Sequence, residues 1–213
     1  ENTLPGFVAA LDAGADAIEL DVHGTADGTV VVHHDPHLGA SAGDLAGRAI
    51  ASLDATALLA QPLGADGAQV PTLDDVLALC AVRATVYVEV KARGIEALVL
   101  AALGRHPRTR TAVHAFDHRL AVYVADRAPG IPAGILVDAY LIDPAHALRA
   151  SRARDYWPHR QMVDRPLVEA IHGAGGRVIV WTVNDPADAR ALAAIGVDGI
   201  CTDVPEVIGP VLR

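Results

Sequence analysis

The sequence has few cysteines, few aromatic residues and no long apolar run, and these shortages exclude several classes of protein. Its two cysteines, Cys80 and Cys201, lie far apart and have no CxxC or Cys/His spacing around them. Both are predicted to be small buried side chains, with a disulfide as the lesser alternative. Apolar runs such as 95–103 and 200–212 are too short or too interrupted for the roughly 20 residues of a membrane-spanning helix, so no transmembrane segment is predicted.

Positive charge is also scarce. Lys and Arg number 17 against 26 Asp and Glu, which gives a net charge of −9 at pH 7. A surface that binds nucleic acid needs clustered positive charge for the phosphates, so no nucleic-acid partner is predicted. No glycine-rich phosphate fingerprint follows any predicted strand, which argues against a nucleotide-binding open sheet.

The chain does have the apolar content of one globular domain over residues 1–213, with 52% hydrophobic residues. Short β-branched runs alternate with Ala/Leu-rich stretches of helical period, which predicts an α/β protein. The predicted helices are 3–13, 73–81, 94–105, 117–127, 144–151, 165–174, 186–195 and 204–212. The predicted strands are 17–22, 29–33, 85–91, 111–116, 133–137, 155–158, 177–183 and 198–201.

Seven strand–helix units preceded by an orphan helix indicate a (β/α)8 TIM barrel whose first strand is absent from the given chain. The chain is therefore expected to start inside the domain. Residues 39–69 are rich in Gly and Ala, with a modest helix signal near 52–60, and are interpreted as a small excursion on one face. A doubly wound open sheet is the alternative architecture.

Acidic residues at two strand ends are the sharpest local feature. Period-two geometry places Glu19 and Asp21 on one face of a strand, and Glu89 and Lys91 share a face of another. If these strands are neighbours in a barrel, the three carboxylates converge at its C-terminal mouth, where barrels carry their catalytic residues. Carboxylate oxygens suit a divalent cation such as Mg²⁺ or Ca²⁺. The structural alternative is an ion pair of Lys91 with Glu89 or Asp21 at the rim.

A pair of histidines ends the short strand 29–33 and precedes Pro36. One imidazole of His33 and His34 is placed to act as a general acid or base. A zinc site of His33, His34 and His37 is a weaker interpretation. Farther along the chain, Trp181 follows a buried run and is suited either to line a ligand pocket or to fill the core.

Short motifs follow one another in order along nearly the whole chain. They are Glu1-Asn2-Thr3, Gly14-Ala15-Asp16, Glu19-Leu20-Asp21-Val22, Thr25-Ala26-Asp27-Gly28, Val31-Val32-His33-His34-Asp35, Pro71-Thr72-Leu73, Glu89-Val90-Lys91, Trp181-Thr182-Val183-Asn184 and Thr202-Asp203-Val204-Pro205. Each is weak alone. The ordered set is specific, and it resembles the glycerophosphodiester phosphodiesterase family, whose fold is a TIM barrel.

The resemblance implies an enzyme that hydrolyses small-molecule glycerophosphodiesters, such as glycerophosphocholine, to sn-glycerol 3-phosphate and an alcohol. It implies that a divalent cation, Mg²⁺ or Ca²⁺, is bound by Glu19, Asp21 and Glu89. His34 would be a catalytic acid or base and Lys91 a phosphate contact. Phe116 is expected to line the substrate pocket together with Trp181, although this chain has His114-Ala115-Phe116 where the family usually has a Ser before the Phe.

Two further functions stay open at the level of sequence. The family's other histidine belongs to a His-Arg pair upstream of the motif that ends in Glu1-Asn2-Thr3, and the given chain starts after that point. The first alternative is therefore a catalytically silent barrel that binds a phosphorylated ligand. The second is a lysophospholipase D-like lipid phosphodiesterase. A cytoplasmic location is the default prediction, with a secreted protein as the alternative, and the sequence predicts no particular oligomer.

Overall fold

The computed structural model describes residues 1–63 and 67–213, and these residues form two compact units. The first unit comprises Glu1–Asp12 and Asp16–Thr111, and the second comprises Ala13–Ala15 and Ala112–Arg213. Three residues of the predicted excursion, 64–66, lie outside the described residues. That residues 1–213 behave as one domain stays a prediction.

The first unit contributes three paired strands to the main sheet and also contains helices and a short separate ribbon. Its elements are α1 (Leu4–Asp12), β1 (Ala17–Gly24), β2 (Val30–Val32), α2 (Ala55–Leu59), β3 (Pro62–Leu63), β4 (Ala68–Gln69), α3 (Leu73–Cys80), β5 (Thr85–Val90) and α4 (Glu96–Arg105). In the sheet, β1 pairs with β5 in parallel and with β2 antiparallel. The short pair β3 and β4 is a separate antiparallel ribbon that the sequence did not predict.

Strand β1 forms because its large apolar residues alternate with polar or small residues. Ile18, Leu20 and Val22 share one face and are at most 3% exposed, so that face supplies core. The opposite face carries Glu19 and Asp21. The same alternation in β5 buries Val86 and Val88, and the polar faces of the two paired strands therefore lie side by side.

Helix α3 begins where the sequence supplies a complete capping box. The hydroxyl of Thr72 accepts a hydrogen bond from the Asp75 N–H at 3.1 Å, and the Asp75 carboxylate accepts one from the Thr72 N–H at 3.0 Å. These bonds satisfy backbone donors that a helix start leaves without intrahelical partners. The motif Pro71-Thr72-Leu73 is therefore explained by helix initiation.

The excursion has an apolar cluster of its own. This excursion cluster consists of Val31, Leu38, Ala42, Ile50, Leu53, Leu58 and Val70, each at most 2% exposed. Val31 belongs to β2, so the cluster is attached to the sheet, and Leu58 belongs to α2, which lies within the modest helix signal at 52–60. Two 3₁₀ segments, Ala40–Leu45 and Ile50–Ser52, complete the excursion.

The second unit continues the alternation of strands and helices. Its elements are β6 (Arg110–Ala115, whose first two residues belong to the first unit), α5 (Arg119–Arg127), β7 (Ala133–Val137), α6 (Pro144–Ser151), β8 (Asp155–Pro158), α7 (Arg165–Gly173), β9 (Arg177–Val180), α8 (Pro186–Ala194), β10 (Gly199–Ile200) and α9 (Pro205–Leu212). All neighbouring strands in the order β6-β7-β8-β9-β10 are parallel. The α/β prediction is confirmed.

Most predicted elements are confirmed to within two residues at each end, and the strand that differs by more lies near the end of the chain. The strand predicted at 177–183 ends at Val180. Beyond it, the N–H of Val183 bonds to the Cys201 carbonyl at 2.9 Å, which lies outside the ladder of β9. The predicted strand 198–201 is reduced to Gly199–Ile200.

A fully buried carboxylate starts β8. Asp155 is 0% exposed and accepts hydrogen bonds from Arg154, at 2.8 and 2.7 Å, and from Arg177 at 2.8 Å. Charged groups are tolerated at such depth only when they are paired and hydrogen-bonded. The two guanidinium groups provide that pairing at the amino ends of β8 and β9.

The cysteines agree in part with their prediction. Neither is in a disulfide within the described residues; Cys80 is buried, whereas Cys201 is only partly buried. Burial raises the pKa of the Cys80 thiol. Within residues 1–63 and 67–213, every helix falls short of the length and hydropathy that a membrane crossing requires.

The hydroxyl of Tyr156 generates a prediction about stability. Tyr156 is 1% exposed, and its hydroxyl finds no hydrogen-bond partner within the described part of the chain. Burial raises its pKa to about 12. In the unfolded chain the Tyr156 hydroxyl ionises from about pH 10. Ionisation therefore favours the unfolded chain, and the free energy of unfolding falls as the pH rises from about 10 to about 12. We expect Tyr156→Phe to raise the free energy of unfolding by about 1 kcal/mol at pH 8 and to reduce this alkaline loss.

Urea unfolding at pH 8, 10 and 11 measures both effects. Tyr123→Phe is the matched control, because the Tyr123 hydroxyl accepts a hydrogen bond from Arg127 in an exposed position. Equal stability changes in the two variants would contradict the expectation.

Candidate active site

The pairing of β1 with β5 places two acidic side chains opposite each other. Asp21 is in register with Glu89, and Glu19 with Tyr87. Asp21 and Glu89 are 6% and 8% exposed, so both carboxylates are largely removed from water. The predicted convergence of acidic residues at neighbouring strands is therefore present within the first unit.

Lys91 lies between these two carboxylates. Its ammonium Nζ is 3.1 Å from Glu89 Oε1 and 3.4 Å from Asp21 Oδ1. Burial on its own would lower the pKa of Lys91, but the charges of Glu89 and Asp21 outweigh it and raise that pKa above its usual value. The ammonium is therefore charged at neutral pH, and both ion pairs that the sequence allowed are formed.

Glu19 joins the acidic group from the same strand. It is half-buried, and one of its carboxylate oxygens lies within 4.8 Å of a carboxylate oxygen of Glu89. Among the described residues, three carboxylates, those of Glu19, Asp21 and Glu89, thus lie in a group with one ammonium, that of Lys91, which contacts Asp21 and Glu89. Negative charge is in excess, which is the condition that attracts a further cation.

Asn2 contacts Asp21 through both ends of its side-chain amide. Its Nδ2 donates to Asp21 Oδ2 at 2.9 Å, and its Oδ1 accepts from the Asp21 N–H at 3.3 Å. Asn2 lies two residues before the start of α1 and has a positive φ of 51°, a conformation that Asn tolerates better than most residues. The sequence motif Glu1-Asn2-Thr3 therefore reaches the site through its asparagine.

The loop after β2 brings a histidine to the same place. The His33 N–H donates to the Asp21 carbonyl at 2.9 Å, which holds this loop against β1. His34 Nε2 lies 3.4 Å from Lys91 Nζ, and its Nδ1 lies 2.8 Å from Asp35 Oδ1. A charged lysine only donates, so His34 Nε2 accepts and Nδ1 carries the proton that is donated to Asp35.

His23, two residues beyond Asp21 on β1, is buried. It is 5% exposed, and its Nε2 bonds to the His34 carbonyl at 3.1 Å. Burial lowers the pKa of His23, so the imidazole is neutral at pH 7. Its contact supports the backbone of His34.

The second unit carries the predicted aromatic residues. Phe116 follows β6 and Trp181 follows β9, and their rings meet edge to face with centroids 5.6 Å apart. His159, which the sequence did not single out, makes a similar contact with Trp181 at 5.1 Å. Trp181 Nε1 donates to the Trp157 carbonyl at 2.9 Å, which fixes the indole. Phe116 is 48% exposed, so this aromatic group faces solvent at the carboxyl ends of its strands.

The predicted site residues therefore separate into two sets. Glu19, Asp21, Glu89, Lys91 and His34 come together in the first unit, and Phe116 with Trp181 come together in the second. Among the described residues, His33, His34 and His37 do not form a metal-binding group, so the zinc interpretation is wrong.

Sequence reasoning missed three contributors to the first set. Asn2 belongs to a recognised motif but had no predicted role. His23 was not assigned to the site, and Asp35 was identified only as the residue that follows His34. Asp35 is adjacent to His34, and the hydrogen bond between them lowers the pKa of Asp35. A signal was present for Asp35, since a carboxylate beside an imidazole commonly orients it.

The donor set fits a hard cation. Carboxylate oxygens are the ligands that Mg²⁺ and Ca²⁺ prefer, whereas zinc sites are usually built from Cys and His. Glu19 and Glu89 offer oxygens close to each other, and Asp21 is linked to Glu89 through Lys91. The acidic group is therefore a candidate site for a divalent cation.

Comparisons with known proteins agree with this geometry. Residues 1–207 match the family model described as the glycerophosphoryl diester phosphodiesterase family. A glycerophosphodiester phosphodiesterase of Caldanaerobacter subterraneus subsp. tengcongensis is 30% identical, and the match covers 100% of this chain and 92% of the relative.

Solved structures give the same result for the fold. A glycerophosphodiester phosphodiesterase from Agrobacterium tumefaciens is 28% identical, with a TM-score of 0.86 over 99% of this chain and 93% of that one. A phosphodiesterase from Oleispira antarctica, solved with the product sn-glycerol-3-phosphate, is 23% identical, with a TM-score of 0.92 over 100% and 91%. The predicted TIM-barrel-like fold is confirmed.

The contacts of Lys91 generate a prediction about the metal-free protein. Lys91→Met keeps the aliphatic chain but leaves the Asp21 and Glu89 carboxylates without their shared cation. We expect the free energy of unfolding to fall by about 2 kcal/mol, less than for a fully buried pair because the Lys91 side chain is 20% exposed.

Urea unfolding in EDTA measures this loss. Arg190→Met removes one positive charge from an exposed position and is expected to stay within about 0.5 kcal/mol of the unmodified protein. If Lys91→Met is no less stable than Arg190→Met, the carboxylates do not depend on the ammonium.

Proposed function

Because the chain belongs to the glycerophosphoryl diester phosphodiesterase family, we propose that it hydrolyses glycerophosphodiesters to sn-glycerol 3-phosphate and an alcohol. The observation that carries the proposal is the cluster of Asp21, Glu89, Lys91 and His34 within the first unit. It combines acidic ligands, a fixed positive charge and a titratable imidazole. The relative from Caldanaerobacter has this activity in its name, and the Oleispira structure contains this product.

We propose that Glu19, Asp21 and Glu89 hold a divalent cation, Mg²⁺ or Ca²⁺. The excess of carboxylate charge over the single ammonium supports the binding of a cation. When bound, such a cation polarises the phosphoryl oxygens and neutralises charge that develops on them. The paired strands β1 and β5 supply a rigid base for the three carboxylates.

Lys91 is proposed to bind the phosphate group of the substrate. Its ammonium is charged at neutral pH and has three N–H donors. With its contacts to Asp21, Glu89 and His34, it is held at the centre of the cluster. A phosphate oxygen is an acceptor of the same kind as the carboxylate oxygens that the Lys91 ammonium already contacts.

His34 is proposed to move a proton at Nε2. This nitrogen is the accepting atom in its contact with Lys91, so it has a lone pair with which to take a proton. Asp35 holds the opposite nitrogen, Nδ1, and stabilises the imidazolium that results. Nε2 takes a proton from the water that attacks phosphorus, and the imidazolium gives it to the oxygen of the leaving alcohol as the P–O bond breaks, so one residue serves as base and acid in turn.

Phe116 and Trp181 are proposed to bind the organic part of the substrate. Their edge-to-face contact and the exposure of Phe116 support this role. Both lie at the carboxyl ends of their strands, the edge at which TIM-barrel enzymes carry their active sites. An apolar ring edge suits the carbon skeleton of glycerol or of an alcohol head group.

The test is turnover of glycerophosphocholine by the full-length protein with Mg²⁺, Ca²⁺ or EDTA. We expect glycerol 3-phosphate release that needs a divalent cation and is lost in Glu89→Gln. We expect His34→Gln to lower kcat by about 10²- to 10⁴-fold, because it removes the proton-transferring group. His37→Gln replaces an exposed histidine of the same loop and serves as the matched control with unchanged turnover.

The other outcomes separate the alternatives. Release of choline from lysophosphatidylcholine, without turnover of glycerophosphocholine, would favour a lysophospholipase D-like enzyme. Absence of turnover with either substrate and any cation would favour a catalytically silent barrel that binds a phosphorylated ligand. Equal loss in His37→Gln and His34→Gln would overturn the role of His34.

A further inference from the structure

The side-chain amide of Asn2 makes two hydrogen bonds to one residue. An amide side chain has one donor group and one accepting oxygen, and Asn2 directs both to Asp21, the donor to the carboxylate and the acceptor to the backbone N–H. Two contacts to the same residue fix its position more strongly than either alone. The pair is separated by 19 residues in sequence, so it ties the start of α1 to the middle of β1.

The two oxygens of Asp21 have different partners as a result. Oδ2 accepts the hydrogen bond from Asn2, and Oδ1 lies 3.4 Å from the ammonium of Lys91. A carboxylate can turn about its last side-chain bond, and this turn exchanges its two oxygens. The amide of Asn2 opposes that rotation, because turning away from it would leave a largely buried oxygen without its donor.

The backbone around Asn2 separates this contact from helix initiation. The cap of α1 is provided by the next residue, because the Thr3 hydroxyl accepts a hydrogen bond from the Gly6 N–H at 3.2 Å. Asn2 itself has a positive φ of 51°, which directs it out of the helical path. Its amide is therefore not needed to start the helix.

We propose that Asn2 is a positioning residue that fixes the orientation of the Asp21 carboxylate and so presents Oδ1 for cation binding. The inference rests on the proposed role of Asp21 as a cation ligand. Hydrogen bonds from neighbouring residues to metal ligands commonly set the ligand orientation, and their loss lowers metal affinity by about 10- to 100-fold.

Asn2→Gly tests the amide without straining the backbone. Glycine adopts positive φ readily, so the variant removes both hydrogen bonds and keeps the local conformation. We expect the dissociation constant for Mg²⁺ or Ca²⁺, measured by calorimetric titration with the cation alone, to rise by about 10-fold or more. At subsaturating cation the turnover of glycerophosphocholine falls in parallel, and saturating cation restores most of it.

Asn2→Asp is a second variant of nearly the same shape. It replaces the donating amide by a carboxylate, which loses the hydrogen bond to Oδ2 and places like charge beside Asp21. If the variant disturbs the orientation of the Asp21 carboxylate, cation binding becomes weaker. If the introduced carboxylate acts instead as an additional cation ligand, cation binding becomes tighter. Weaker binding in both variants is the result expected here, and tighter binding in Asn2→Asp would overturn the proposal. Should Asn2→Gly fail to fold, Asn2→Asp carries the comparison.

Thr3→Ala is the matched control. It removes the cap of α1 and leaves the Asn2 amide, so it measures what a weaker helix start does to cation binding. We expect it to lower thermal stability with an unchanged dissociation constant. If Thr3→Ala weakens cation binding as much as Asn2→Gly, the role of Asn2 is structural and the proposal fails.

The wild-type protein and Glu89→Gln distinguish this inference from the proposed function. Cation binding by the wild type that is lost in Glu89→Gln but unchanged in Asn2→Gly would overturn the positioning role alone. Absence of cation binding by the wild type would overturn both.

Discussion

Parallel pairing joins Ala17–Val22 of β1 to fixed partners on β5, and the site depends on that register. Asp21 faces Glu89 across the pair, and Lys91, which follows β5, reaches both carboxylates. The side-chain period of a strand is two residues, so a shift of one residue would turn Asp21 toward the apolar face and bring Leu20 or Val22 to the site. The buried faces of both strands resist such a shift, because Ile18, Leu20 and Val22 would lose their core contacts. The hydrophobic core therefore determines where the charges lie.

The charges themselves oppose folding. Carboxylates that are largely removed from water are stable only with partners, and two separate segments supply partners here. Asn2 comes from the start of the chain and Lys91 follows β5. The loop after β2 is attached to the same strand through the backbone, by the His33 N–H to the Asp21 carbonyl. One ammonium does not balance three carboxylates, and the remaining negative charge is the property that suits the site to a cation. Asp155 shows the opposite arrangement, because two arginines pair with one carboxylate and positive charge is in excess there.

Local sequence patterns predicted the strands, the helices and the direction of the acidic side chains. Alternation placed Glu19 and Asp21 on one face, and the order of motifs identified Glu89, Lys91 and His34. The contact of Asn2 with Asp21 could not be read in this way, because it depends on how α1 returns to β1 across 19 residues. The burial of His23 was also hidden, since its environment is formed by the backbone of His34. The strand predicted at 177–183 was too long because an apolar run does not show where the pairing partner stops. Sequence patterns thus predict the helices and strands and the face on which a side chain lies, whereas contacts between residues distant in sequence are known only from the three-dimensional structure.

The excursion cluster has a consequence for how such a protein can diversify. Its apolar residues, Leu38, Ile50 and Leu58 among them, pack on one another and on Val31 of β2, whereas the catalytic candidates of this region, His34 and Asp35, precede the excursion. Segments at its solvent side can lengthen, shorten or change composition while this small core and the strand register persist. Evolution can therefore alter the excursion as a module. The protein then acquires new surfaces near the site while the set of charged side chains stays unchanged.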